Sequence, residues 1–219
     1  VLKDNSKNLC PRGDRIDYTF LSLLSNKINV GIIGLGKAGI IKAKHFLKEN
    51  VKVSIIDKEL ALKDLEPLKE FNNFKAECRE YEKDFILDKH IIVIAVNDEK
   101  ARERIKKDCD ALSKIYIDCT NFKEGIAALP VQRETDNIIF GVNTRGGNPK
   151  ASVMSANKAL EILKDYDGFV ELTTYYRNKF KEYPDLKEDA LKFLFCDDFY
   201  FFFERGKAKK VMKLFYNEV

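Results

Sequence analysis

"VGIIGLGKAGIIKAKHF", residues 30–46, decides how the rest of the chain is read. Three glycines, Gly34, Gly36 and Gly39, close an apolar run and open a segment with Ile40, Ala43 and Leu47 at helical spacing. The run before them, "INVGII" (28–33), is rich in β-branched residues and reads as a buried strand. Strand, glycine turn and helix form the setting in which a G-x-G-x-x-G sequence holds a dinucleotide. Gly34 permits the tight turn, Gly36 lets the backbone approach a pyrophosphate, and Gly39 lets helix and strand pack closely. The N–H groups of Leu35, Lys37 and Ala38 then face the phosphates at the helix N-terminus. Asp57 closes the next strand, "VKVSIID" (51–57), 23 positions after Gly34. Its carboxylate suits both hydroxyls of a ribose and would repel a 2′-phosphate, so NAD is expected in preference to NADP. The competing reading is a glycine-rich turn in some other α/β domain.

Outward from this stretch, strands and helices alternate. Residues 58–72 read as a helix, "HIIVIAV" (90–96) as a central strand, 99–113 as a charged helix and "KIYIDCT" (114–120) as a further strand. This predicts an α/β fold with a Rossmann-type parallel sheet and its sites beyond the carboxyl ends of the strands. Asn97 and Asp98, at the tip of the central strand, either line the cofactor crevice or cap the following helix. Before the glycine loop, residues 1–15 are polar and expected to be loose, and "YTFLSLL" (18–24) is a strand or a short packed segment. After residue 120 the pattern changes. "ALPVQRE" and "NIIFGVN" read as consecutive strands about a turn at 135–137. Asn148 and Pro149 then read as N-cap and first residue of a helix over about 150–164. Helices are expected near 168–181, 185–196 and 205–217. The aromatic run "FLFCDDFYFFFERG" (193–206) is either the core of such a helix or a surface for stacking on a flat ligand.

Composition narrows the classes. The chain has 219 residues, 45% apolar and 34% charged, with a formal charge of +4. The basic residues are spread among acidic ones, so no nucleic-acid partner is expected. No apolar stretch is long enough for a membrane span, and no leader is visible. Five cysteines without close spacing and two isolated histidines argue against a disulfide scaffold and against a metal site. Reduced thiols fit a cytoplasmic protein.

Four stretches together, "VGIIGLGKAGIIKAKHFL", "IIVIAVND", "YIDCTNFKEGIAALP" and "IIFGVNTRGGNPKAS", resemble the precorrin-2 dehydrogenase (sirohydrochlorin synthase) family in order and spacing over about residues 20–165. The resemblance implies an NAD-binding domain (1–130), a small strand-pair dimerisation region (131–165), a helical C-terminal domain (166–219) and a homodimer. It implies oxidation of precorrin-2 to sirohydrochlorin with NAD⁺ as hydride acceptor. The family's catalytic aspartate falls on Thr120, with Asp118 two positions earlier, and the residues that follow are Asn121-Phe122-Lys123. Strand alternation places Asp118 and Thr120 on one face, so Asp118 is the expected proton acceptor with Thr120 orienting it or the substrate. The turn Thr144-Arg145-Gly146-Gly147-Asn148, with Lys123 and Lys150, is expected to hold the carboxylates of the tetrapyrrole. The displaced aspartate leaves two alternatives open: an NAD- and tetrapyrrole-binding module without dehydrogenase activity, or a sirohydrochlorin ferrochelatase.

Overall fold

The computed structural model describes residues 15–216. The expectation of a loose segment over 1–15, and Cys10 with it, falls almost wholly outside those residues. The chain divides into two compact units, one of Thr19–Leu129 and one of residues 15–18 with 130–216.

The first unit is built on a five-stranded parallel sheet: β1 (Asn29–Ile33), β2 (Lys52–Asp57), β3 (Phe74–Cys78), β4 (Ile91–Ile94) and β5 (Ile115–Asp118). The strand order is β3-β2-β1-β4-β5. The chain therefore winds one way from β1 to β3 and the other way from β4 to β5, and the reversal falls between β1 and β4. Val30, Ile32, Val53, Ile55, Ile91, Val93 and Ile117 turn to one face, packed with Ala43, Phe46 and Leu47 of α1 (Lys37–Lys48). Ile33, Ile56, Ile92, Ile94 and Tyr116 turn to the other, packed with Ile105 and Cys109 of α3 (Glu99–Ala111). Apolar residues on both faces are what a doubly covered parallel sheet requires.

Two expected elements differ. The helix over 58–72 is reduced to α2 (Leu62–Leu65) and a 3-10 turn at Glu66–Leu68. Pro67 has no N–H to donate and its ring opposes continuation. The apolar segment 18–24 forms no strand, and Phe20, Leu21 and Leu24 are exposed.

The second unit pairs β6 (Val131–Glu134) with β7 (Ile139–Val142), antiparallel, with Arg133 opposite Phe140. Against them lies α4 (Pro149–Lys179), followed by α5 (Pro184–Leu194), α6 (Asp197–Glu204) and α7 (Ala208–Phe215). Asn148 caps α4 by accepting from the Ala151 N–H at 3.1 Å, and Pro149 is its first residue. The helix does not stop at 164 as the sequence Asp165-Tyr166-Asp167-Gly168 suggests. Asp167 instead serves the hairpin: its carboxylate accepts from the Asn137 N–H at 2.9 Å, from the Asn137 side-chain amide at 2.9 Å, and from the Thr135 hydroxyl. Phe180, Leu194 and Phe199 form the centre of the helical core, and Phe193 and Phe203 pack on it. Of the aromatic run, Phe199 is buried, Phe193, Tyr200, Phe202 and Phe203 are half-buried, and Phe195 and Phe201 are exposed.

Candidate functional site

The carboxyl ends of β1 and β4 meet at the switch point. Gly34 leaves β1 with φ +96°, and a Cβ there would lie 2.6 Å from the Ala95 carbonyl oxygen at the end of β4. That conformation and that gap admit only glycine. Gly39, in the first turn of α1, is closer still: a Cβ would lie 2.1 Å from the Gly34 carbonyl oxygen. Gly36 is of another kind. It stands at the N-cap of α1, and a Cβ there would meet nothing within 4 Å, so its missing side chain leaves open space at the helix N-terminus. Among the described residues no side chain caps α1, which leaves the N–H groups of its first turn directed to that space.

Asp57 ends β2 beside this turn. One carboxylate oxygen accepts from the Leu35 N–H at 2.6 Å and the other from the Glu59 N–H at 3.0 Å. Its orientation is fixed before any ligand arrives, with acceptor capacity left for hydroxyl groups. A cradle that a Cβ would fill, free N–H donors and a pinned carboxylate fit a dinucleotide, and NAD is the cofactor of this unit. Asp98 takes the plainer of its two readings: it caps α3 by accepting from the Ala101 N–H at 2.7 Å, while Asn97 is exposed with no side-chain hydrogen bond among the described residues.

The structure encloses the Asp118 side chain, the expected proton acceptor, beside Lys106. β5 ends at Asp118, so strand alternation does not continue to Thr120. The Asp118 carboxylate lies on the face covered by α3 and is fully enclosed. One oxygen accepts from the N–H groups of Thr120 (2.7 Å) and Asn121 (2.9 Å). The other lies 3.1 Å from the Lys106 ammonium and 3.6 Å from Nε of Arg102. Lys106 also binds Glu103 at 3.0 Å and pairs with Glu124, which accepts from the Asn121 amide at 2.6 Å. Burial alone would raise the pKa of Asp118, yet the two N–H donors and Lys106 hold it below the ordinary carboxylate range. Burial would likewise lower the pKa of Lys106, and its three carboxylate partners raise it instead. Both groups stay charged, and the buried Asp118 carboxylate ties the start of the turn 119–125 to Lys106. Thr120, beyond the strand end, is exposed. Sequence reasoning does not single out Lys106 and Arg102; their one signal is two cations a helical turn apart in α3.

In the other unit the turn 144–148 folds on itself. The Thr144 hydroxyl accepts from the Asn148 N–H at 2.7 Å and donates to the Asn148 carbonyl at 3.1 Å. Gly147 has φ +65° and its N–H donates to the Thr144 carbonyl at 2.9 Å. Among the described residues the N–H groups of Arg145 and Gly146 have no partner, and Gly146 faces open space. The Arg145 side chain is exposed and lies 3.4 Å from Asp17; Lys150 is exposed at the start of α4, and Lys123 is exposed in the first unit. Among the described residues no three His, Cys, Asp or Glu side chains converge as a metal site, and no helix is long and apolar enough to cross a membrane.

Comparison with known proteins adds three findings. The model of a family described as "Putative NAD(P)-binding" matches residues 21–131. A protein of Methanocaldococcus jannaschii named "Putative precorrin-2 dehydrogenase" is 29% identical over 174 residues, covering 75% of this chain and 82% of that one. A solved structure described as "SirC, precorrin-2 dehydrogenase" superposes with a TM-score of 0.62 at 17% identity, over 82% of this chain and 90% of that one, a likeness of fold. The resemblance read from the four sequence stretches is thus one of homology.

Proposed function

Since the chain belongs to this NAD(P)-binding family, we propose that it is an NAD-dependent oxidoreductase that converts precorrin-2 to sirohydrochlorin. The observation that carries the reading is the cradle of Gly34, Gly36 and Gly39 with Asp57 tied to the Leu35 N–H, in a chain homologous to precorrin-2 dehydrogenases. Bound NAD⁺ supplies the hydride acceptor. The N–H groups of Lys37 and Ala38 hold the pyrophosphate, while the Leu35 N–H, expected from the sequence to join them, is taken up in orienting Asp57, which accepts from the ribose hydroxyls. Asn97 and Asp98 border the same strand ends. Within the second unit, Arg145 and Lys150, with the N–H groups of Arg145 and Gly146, are the candidates to bind tetrapyrrole carboxylates; Lys123 is the first unit's own candidate. Thr120 orients the substrate through its hydroxyl. The proton lost with the hydride goes to water, because the carboxylate at the end of β5 is enclosed. The proposal extends to a homodimer and to the cytoplasm, where the free cysteines would stay reduced.

That enclosed carboxylate also favours a second reading, a module that binds NAD and the tetrapyrrole without oxidising it. An anaerobic assay with precorrin-2 and NAD⁺ separates the two. NADH formed together with the sirohydrochlorin chromophore supports the dehydrogenase. Binding of both ligands without NADH supports the module, and iron-dependent loss of sirohydrochlorin without NAD⁺ supports a ferrochelatase.

A further inference from the structure

The helical unit contains a cavity of about 600 Å³ that the proposed oxidation does not use. It lies among α4, α6 and α7 and is bordered by Gly168, Leu172, Tyr176 and Phe203, with Glu171 and Lys209. Its size falls within the range of small-molecule sites, as does an apolar wall with few polar groups.

Three features show that this space is more than loose packing. The first is Gly168, in the interior of α4. It has ordinary helical backbone, and a Cβ there would meet Phe203 Cζ at 3.4 Å, an ordinary contact. Neither conformation nor crowding asks for glycine, although glycine weakens a helix interior. Its effect is to bare the backbone of α4 beside the Phe203 ring. Gly206 differs, because its φ of +66° is what the turn from α6 to α7 needs. The second feature is Tyr176, which is 7% exposed and borders the cavity. Among the described residues its hydroxyl has no hydrogen-bond partner, and it is not sealed from solvent, so it is free to bond a molecule in the cavity it borders. The third is the pair Glu171 and Lys209, of opposite charge, neither of which has an ion-pair partner among the described residues.

We propose that this cavity is a binding site for a small aromatic zwitterion, a flat ring bearing one carboxylate and one amine. Phe203 and Leu172 take the ring, Lys209 the carboxylate and Glu171 the amine, and Tyr176 hydrogen-bonds the carboxylate. The site is separate from the dinucleotide cradle and stands whether or not the chain oxidises precorrin-2.

L-tryptophan is a suitable probe, titrated into the full chain by calorimetry and by saturation-transfer NMR, with 2-naphthoate and 2-naphthylmethylamine as single-charge controls. The expected result is saturable binding of L-tryptophan, weakened roughly tenfold by Lys209→Ala, the loss of one charge-assisted contact. Tyr176→Phe removes a hydroxyl that has no partner among the described residues, so it should weaken binding while leaving the melting temperature unchanged. NAD⁺ affinity, set in the other unit, should be unaltered in both variants, and a helical circular dichroism spectrum identical to the parent's shows that the helical unit is folded. Affinity unchanged in both variants, or no saturable binding of L-tryptophan, overturns the proposal. Equal binding of 2-naphthoate and L-tryptophan overturns the role of Glu171 and with it the zwitterion.

Discussion

Gly36 and Gly39 lie three residues apart in one turn and are glycine for opposite reasons. A Cβ on Gly39 would sit 2.1 Å from a backbone oxygen, so Gly39→Ala must displace α1 from β1. We expect a loss of about 2 kcal/mol or more in denaturant unfolding, as for other overpacked sites. A Cβ on Gly36 meets nothing, so Gly36→Ala should leave stability within about 0.5 kcal/mol. It should still weaken NAD⁺ binding, because its methyl group enters the space where the pyrophosphate approaches. A Gly36→Ala variant that binds NAD⁺ as well as the parent would place the phosphates elsewhere. Asp57→Ala should abolish discrimination between NAD⁺ and NADP⁺ in the same titration, since the carboxylate beside the ribose is what repels a 2′-phosphate. These residues were legible in the sequence because each answers to a local rule of the strand–turn–helix. Asp118 was not. Alternation sets the face of Asp118, on the side of Tyr116, and stops before Thr120, but nothing local says that α3 closes over that face. What then decides the side chain is Lys106 and Arg102, on a helix that local pattern cannot place against β5.

At the scale of elements, the joint between β5 and α3 rests on that buried charge network. Removing one partner of a buried pair leaves the other uncompensated, so Asp118→Ala should cost about 3 kcal/mol. Asp118→Asn keeps an acceptor for the Thr120 and Asn121 N–H groups and should cost less. If the carboxylate braces the turn and takes no proton, the Asn variant should oxidise precorrin-2 at a rate near the parent's, once corrected for folded fraction. The folded protein holds the pKa of Asp118 below its unfolded value. Its contribution is therefore present above about pH 4 and lost as pH falls through the lower folded value. Melting temperature followed from neutral to acid pH should fall less steeply in Asp118→Asn than in the parent. At the start of α4, Asn148→Ala should cost about 1 kcal/mol through loss of the bond to Ala151. That cap was readable because Asn-Pro before an apolar periodic run has a local cause. The length of α4 was not readable, because Asp167 and Gly168 signal a turn in isolation. Its continuity comes from the hairpin that Asp167 holds at a distance of 30 residues. β3 was missed for a similar reason. "FKAEC" does alternate, with Phe74, Ala76 and Cys78 against the charged Lys75 and Glu77, but at five residues with a single large apolar side chain this edge strand carries too little signal to stand out from a polar loop.

At the scale of the whole molecule, the second unit raises the question of what covers its strand pair. A two-stranded sheet is marginal alone, and β6 and β7 lean on α4 from one side. Ile139 on β7 remains 67% exposed, as do Val153, Met154 and Ile162 in the first half of α4 at 40%, 64% and 62%. Apolar side chains so concentrated in two adjoining elements are what a self-complementary surface presents before it is paired. A second copy of the same surface would extend the pair and bury these residues, which is the homodimer proposed for the chain. Light scattering at micromolar concentration should then report twice the 25.3 kDa of one chain. Ile139→Lys and Met154→Lys place charges on that surface without touching the buried core. Each should shift the mass towards that of one chain while leaving NAD⁺ affinity unchanged, because the cradle lies wholly within the first unit. A mass of 25.3 kDa for the parent would overturn the dimer. A stable dimer that ignores both lysines would move the interface to another face.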